Sequence, residues 1–168
     1  HTFFEKYWQN VMTQNVIRVP QGCPTVEKAM ALAVVFSERK EYTEKDPLKI
    51  RLEMGVHEIV GYKHWGLHFK IMKVTCSNVT FVGQGKNQTT ILGGVEVKNQ
   101  QNVKFEEFTL TNPGDDGLYL TGSETTVDVL KCVVKECQST GMYVSGGATV
   151  TSTQCEFMEN GHQGVTCR

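Results

Sequence analysis

Apolar and polar residues alternate in short runs through the second half of the chain. "VKFEEFTL" from Val103 and "GVTC" from Gly164 show the period of two expected of strands that bury one face. The runs recur in three stretches: "NVKFEEFTLTNPGDDGLYL" from Asn102, "TVDVLKCVVKECQSTGMYV" from Thr126 and "TVTSTQCEFMENGHQGVTC" from Thr149. Their matching columns are Val103, Val127, Val150; Phe108, Cys132, Cys155; Leu110, Val134, Phe157; Gly117, Gly141, Gly164; Leu118, Met142, Val165; and Leu120, Val144, Cys167. The offsets are 24 and then 23 residues. An upstream copy, "NVTFVGQGKNQTTILGG" from Asn78, joins through Val79 and Phe81, and its later part is shorter.

A repeat of this length, holding short strands between small or polar turns, cannot bury its own apolar face, but stacked repeats can. The pattern therefore predicts an all-β protein, a parallel β-helix in which like columns stack as interior ladders. One segment reads differently. In "TVEKAMALAVVFSER", Thr25 to about Arg39, the apolar Val26, Ala29, Met30, Ala33 and Val34 share a helical face, and Thr25 after Pro24 is suited to cap it. A helix there would cover the open end of the solenoid. The reading is a single domain over 1–168, with an N-terminal strand and cap helix in 16–45 and coils in 46–168. "GVTCR" ends the sequence within a strand. The expectation is either a piece of a longer solenoid or end-to-end self-association through an uncapped C-terminal coil.

Charge narrows the partners. Lys and Arg number 17 against 18 Asp and Glu, for a net charge of -1 and no long run of one sign, so neither a nucleic acid nor a membrane surface is expected. The six cysteines, Cys23, Cys76, Cys132, Cys137, Cys155 and Cys167, form no CxxC pair and read as buried thiols rather than a zinc site. Sequons at Asn78 and Asn87, with a chain that begins at His1, admit a secreted protein without deciding localisation.

"IRVPQGCPTVEKAMALA", then "IRLEMGVHEI", "VTFVGQGKNQTTILGG" and the glycine-punctuated repeats, resemble the right-handed parallel β-helix superfamily, the pectin-lyase-like fold, over residues 16–168. The resemblance implies an all-β, right-handed parallel β-helix solenoid of about five coils with an N-terminal strand and a capping helix. It spans polysaccharide lyases, hydrolases, epimerases, esterases and noncatalytic repeat proteins, and so does not select an activity.

Candidate chemistry centres on Asp115 and Asp116, which Pro113 and Gly114 place in a turn. They resemble the Asp-Asp pair of polygalacturonases, but "GHQG" at 161–164 interrupts the companion Gly-His-Gly, and no Arg-x-Lys follows. As an acid pair they would serve catalysis or bind Ca2+; as a turn they would shape a coil corner. No other cofactor is implied. Asp115, Ser139 and His162 fall in one column in an order that puts Ser, not His, in the middle, which a catalytic triad does not allow. His64, Trp65 and His68 lie in the longest insertion between coils, 61–70, expected as a solvated loop for sugar stacking or partner binding. The leading expectation is a noncatalytic recognition or scaffold module for a polysaccharide or protein partner, with Trp65, His64, His68, Ser139 and His162 as binding residues. The alternative is a carbohydrate-active enzyme (polysaccharide lyase, hydrolase or epimerase) acting on uronate polymers through Asp115 and Asp116.

Overall fold

The structure, a computed structural model, describes residues 3–168, and side chains at residues 8 and 9 and from residue 11 onward. Strands β2(Leu48–Leu52), β3(Gly55–Glu58) and β6(Ile71–Val74) make the first coil, with β4(Tyr62–His64) and β5(Leu67–Phe69) inserted before β6. Coil two is β7(Val79–Val82), β8(Thr89–Leu92) and β9(Gly94–Lys98); coil three is β10(Val103–Glu106), β11(Thr109–Thr111) and β12(Leu118–Thr121). Coil four is β13(Thr126–Leu130), β14(Val133–Lys135) and β15(Met142–Ser145); coil five is β16(Thr149–Thr153), β17(Glu156–Met158) and β18(Val165–Cys167). With β1(Val16–Val19), like strands stack into three sheets ordered β1-β2-β7-β10-β13-β16, β3-β8-β11-β14-β17 and β6-β9-β12-β15-β18. Every pairing within these three is parallel. The result is a parallel β-helix of five coils, as the repeat predicts.

The register reproduces the sequence columns. Val79, Val103, Val127 and Val150 are successive partners, as are Leu110, Val134 and Phe157, and Leu118, Met142 and Val165. Parallel pairing of equivalent strands forces equivalent side chains into contact, so each inward column becomes a ladder. In the ladder Ile17, Ile50, Phe81, Phe105, Val129 the two phenyl rings stack at 5.4 Å, and Phe108 meets Phe105 edge-on. Full burial of such side chains stabilises the fold by about 1.5–3 kcal/mol each. The inward side chains of coil five, Val150, Phe157, Val165 and Cys167, are only half-buried or exposed.

The cap helix α2(Val26–Ser37) ends two residues before the expected Arg39. Thr25 caps it, accepting from the Lys28 amide at 3.1 Å. Its buried face is Val26, Ala29, Met30, Ala33 and Phe36; Val34, expected on that face, is only half-buried. A second helix, which the sequence reading did not anticipate, is α1(Phe3–Gln14). Trp8, Val11 and Met12 have helical spacing: Val11 is buried, and the Trp8 ring packs on Phe36 at 4.4 Å beneath the Arg39 guanidinium. The 61–70 insertion, expected as a loop, is an antiparallel hairpin, with Tyr62 opposite Phe69 and His64 opposite Leu67. Trp65 (φ 51) and Gly66 (φ 75) form its two-residue turn; positive φ at both positions matches the twist of a hairpin.

Four of the six cysteines, Cys23, Cys76, Cys132 and Cys137, are buried free thiols; Cys155 is half-buried and Cys167 exposed. Burial pushes the Cys76 thiol up to about 11 and Cys132 up to about 12. Both stay protonated at neutral pH.

Candidate functional site

Each coil turns from its second to its third sheet at one corner, and the three first coils do so differently. Coil one inserts the hairpin, coil two uses Gly93 alone between β8 and β9, and coil three uses the six residues 112–117 between β11 and β12. A corner of one residue between two projecting ones leaves a groove. The hairpin is one wall, the 112–117 turn the other, and coil two the floor.

The floor is possible because it lacks side chains. Gly93 has φ +137, and a Cβ there would lie 2.6 Å from Cβ of Ile59; at Gly94 it would meet Asn112 Nδ2 at 2.7 Å. Both contacts are closer than packed atoms tolerate, so the coil can pass between its neighbours only as Gly-Gly.

The hairpin wall is fixed at its base from the cap helix. The Glu27 carboxylate accepts from the amides of Val60 at 2.7 Å and Gly61 at 3.0 Å. The His68 ring meets the Val60 carbonyl through Nε2, and Lys70 pairs with Glu58 at 2.8 Å. The hydrogen bond and charge of Lys70 hold the Glu58 carboxyl below its usual range. Tyr62 and Phe69, opposite each other on the hairpin, stack at 5.5 Å, and the Lys73 ammonium lies 5.4 Å from the Tyr62 ring.

The opposite wall is built by Asn112, which is buried. Its Nδ2 donates to the Asp116 carbonyl at 2.6 Å and its Oδ1 accepts from the Gly114 amide at 3.1 Å, closing the turn on itself. Asp116 then reaches the next coil, where its Oδ1 accepts from the Thr140 amide at 2.8 Å. Asp115 is exposed. The two carboxylates thus differ in their contacts. Asp116 shapes the stack, and Asp115 faces the groove unengaged by any ion pair among the described residues.

Between the walls lie two adjoining clefts of about 250 and about 480 Å3. Tyr62, Phe69, Glu96, Asp115, Asp116 and Tyr119 line the first. Leu67, His68, Lys70, Gly93 and Pro113 are among those lining the second, which shares Phe69 and Asp115 with it. Tyr119 carries the aromatic surface onward, its ring stacked on Tyr143 at 5.3 Å with 6° between the planes, and Arg168 lies 6.0 Å beyond.

Of the residues expected from sequence, Asp115, Asp116 and His68 come together at the groove. Trp65, 88% exposed, stands at the hairpin tip with His64 edge-on at 5.7 Å; neither lines the clefts. Ser139 and His162 occupy the same corner of coils four and five, and Ser139 Oγ lies 3.3 Å from His162 Nδ1. Tyr62, Phe69, Glu96 and Tyr119 were not singled out beforehand. The short corner of the upstream repeat was visible in sequence and would have pointed to a notch beside the acidic turn. Among the described residues no group of three or more His, Cys, Asp or Glu is arranged to hold a metal ion, and no helix is long and apolar enough to cross a membrane. Of the sequons, Asn87 is exposed, whereas the Asn78 side chain is engaged with the Tyr42 carbonyl and with Asn102.

A family model described as right-handed β-helix region matches residues 57–168, two thirds of the chain. No curated protein and no solved structure matches it significantly.

Proposed function

The chain belongs to the right-handed β-helix family, and from that premise we propose that it is a noncatalytic carbohydrate-recognition module that holds a saccharide chain in the groove between the hairpin and the 112–117 turn. The observation that carries this reading is the groove's lining, in which the rings of Tyr62, Phe69 and Tyr119 accompany the carboxylates of Glu96, Asp115 and Asp116. Aromatic rings bury the apolar faces of sugars, and carboxylates accept from their hydroxyls. The walls are held by the Glu27 and Asn112 hydrogen bonds, so little ordering is left for binding to impose. His64 and Trp65 at the hairpin tip, and Ser139 and His162 on the following corners, would contact the chain at the groove's margins.

A glycan array probed with the intact chain tests the reading. Bound glycans should lose about tenfold in affinity, 1.4 kcal/mol, in Tyr119→Ala and in Phe69→Ala, and less in Trp65→Ala. Retention of full affinity in both groove variants would refute it.

A second reading, a carbohydrate-active enzyme, draws on Glu96 and Asp115 lining one cleft, since glycoside hydrolysis uses two carboxylates. Chain cleavage by the wild type, absent in Asp115→Asn and Glu96→Gln of unchanged circular dichroism, would favour it over simple binding.

A further inference from the structure

We infer that the groove selects an amino-sugar chain, one bearing protonated amines, over neutral and uronate chains. This deepens the saccharide reading and rests on it. The argument is one of charge. The cleft lined by Tyr62, Phe69 and Tyr119 contains three carboxylates, Glu96, Asp115 and Asp116, and no lysine, arginine or histidine. Two neighbouring lysines have partners of their own, the second at the edge of this cleft on Tyr62. Lys70 is paired with Glu58 at 2.8 Å, and Lys73, the register partner of Glu96, lies over the Tyr62 ring. Among the described residues none of the three carboxylates has an ion-pair partner within 4.0 Å. Among the described residues, Asp116 alone of the three accepts a hydrogen bond from the protein through its side chain, one oxygen on the Thr140 amide.

A uronate would bring its own carboxylate into this lining and be repelled at short range. A neutral sugar would meet the rings and find acceptors for its hydroxyls, with no use made of the charge. An ammonium group gains on both counts. It pairs with Glu96 or Asp115, and it is attracted to the open face of Tyr119, the Tyr62 ring being already engaged by Phe69 and Lys73. Tyr119 is placed for this. It follows Glu96 in the ladder and has Tyr143 on one side, which leaves its other face turned toward Glu96 and the groove. An open aromatic face beside carboxylates that have no ion-pair partner within 4.0 Å among the described residues is the complement of a sugar ring that carries an amine.

Calorimetric titration of the intact chain separates the possibilities, with three probes: a tetramer of β-1,4-linked glucosamine, the same tetramer fully N-acetylated, and tetragalacturonate. At a pH below the amine's pKa the glucosamine tetramer should bind about fivefold or more tighter than the acetylated one, the range of a partly exposed ion pair, and tetragalacturonate should bind worst. The advantage should shrink in Glu96→Gln and in Asp115→Asn, and Asp115 is exposed enough for its variant to fold. Equal affinity for the amine and acetyl tetramers, or an advantage unchanged in both variants, overturns the charge selection and leaves the saccharide reading standing. Binding of none of the three overturns both.

Discussion

Coils two and three have the same repeat length and opposite corners. In coil two the first corner takes six residues, 83–88, and the second takes Gly93 alone; in coil three the first takes only 107–108 and the second takes 112–117. The offset between their first strands is still 24 residues, Val79 to Val103, so chain length moved from one corner to the other without disturbing the ladders. The lesson is that the ladders set the coil's total length while leaving its distribution free, and the distribution makes the surface. The long first corner of coil two lies along the second sheet. The Lys86 carbonyl accepts from Thr109 Oγ1 at 2.6 Å, and its ammonium reaches Glu156 at 2.7 Å, three coils on. Val133 lies between those two points in the ladder, and it is buried despite its outward position. The short second corner leaves the groove.

If the comparison holds, the short corner is the intolerant one. Gly93→Val places a branched side chain at φ +137 against Ile59, and should cost about 3–5 kcal/mol from backbone strain and overpacking together. In coil three, Gly114→Ala meets nothing nearer than Asn112 Oδ1 at 3.6 Å and should stay within about 0.5 kcal/mol. Urea denaturation of both variants measures this, and similar losses would break the comparison.

What the coils share, the apolar interior, should fail at high pH. The folded pKa of Cys132 is raised by burial from the ordinary 9.0 to about 12 and that of Cys76 to about 11. Raised folded values mean the protonated thiols contribute stability that is complete below pH 9 and falls as pH climbs toward 12. The loss at the top of that window should be about 4 kcal/mol from Cys132 and about 3 kcal/mol from Cys76, and Cys132→Ala should show a shallower decline there. A pH-independent unfolding midpoint over this range would contradict it.

The long corner depends on Asn112. Asn112→Ala leaves the Gly114 amide and Asp116 carbonyl without their partner and should cost about 2 kcal/mol, with the amide of Gly114 losing hydrogen-exchange protection. The smallest effect sharpens the division between the two aspartates. Asp116→Ala removes the acceptor of the Thr140 amide and should cost about 1 kcal/mol, while Asp115→Ala should change stability by less than about 0.5 kcal/mol. Equal costs would mean that both carboxylates are structural.

The ladders were legible because a parallel stack repeats the same environment at each coil, and Val103, Val127 and Val150 answer it alike. The helix at Val26–Ser37 was legible from its cap and apolar face. The first helix shows the right spacing at Trp8, Val11 and Met12, but the surface it packs on, Phe36 beneath Trp8, is one that no local pattern reports. Reading 61–70 as a loop missed the Trp65-Gly66 turn, because strands of three residues are too short to show alternation. The left-handed corner residues Glu107, Lys131 and Gln154, with φ of 60, 51 and 53, carry no residue-type signal at all, since their conformation is imposed by the coils on either side.

From sequence alone came the solenoid, its register and its cap, all properties that follow from periodic burial along one dimension. The groove was decided only in three dimensions. Tyr62, Glu96, Asp115 and Tyr119 are far apart along the chain and converge because stacking sets coils one, two and three side by side. Which of two adjacent aspartates stays free was likewise decided across coils, by the Thr140 amide that Asp116 meets 24 residues away.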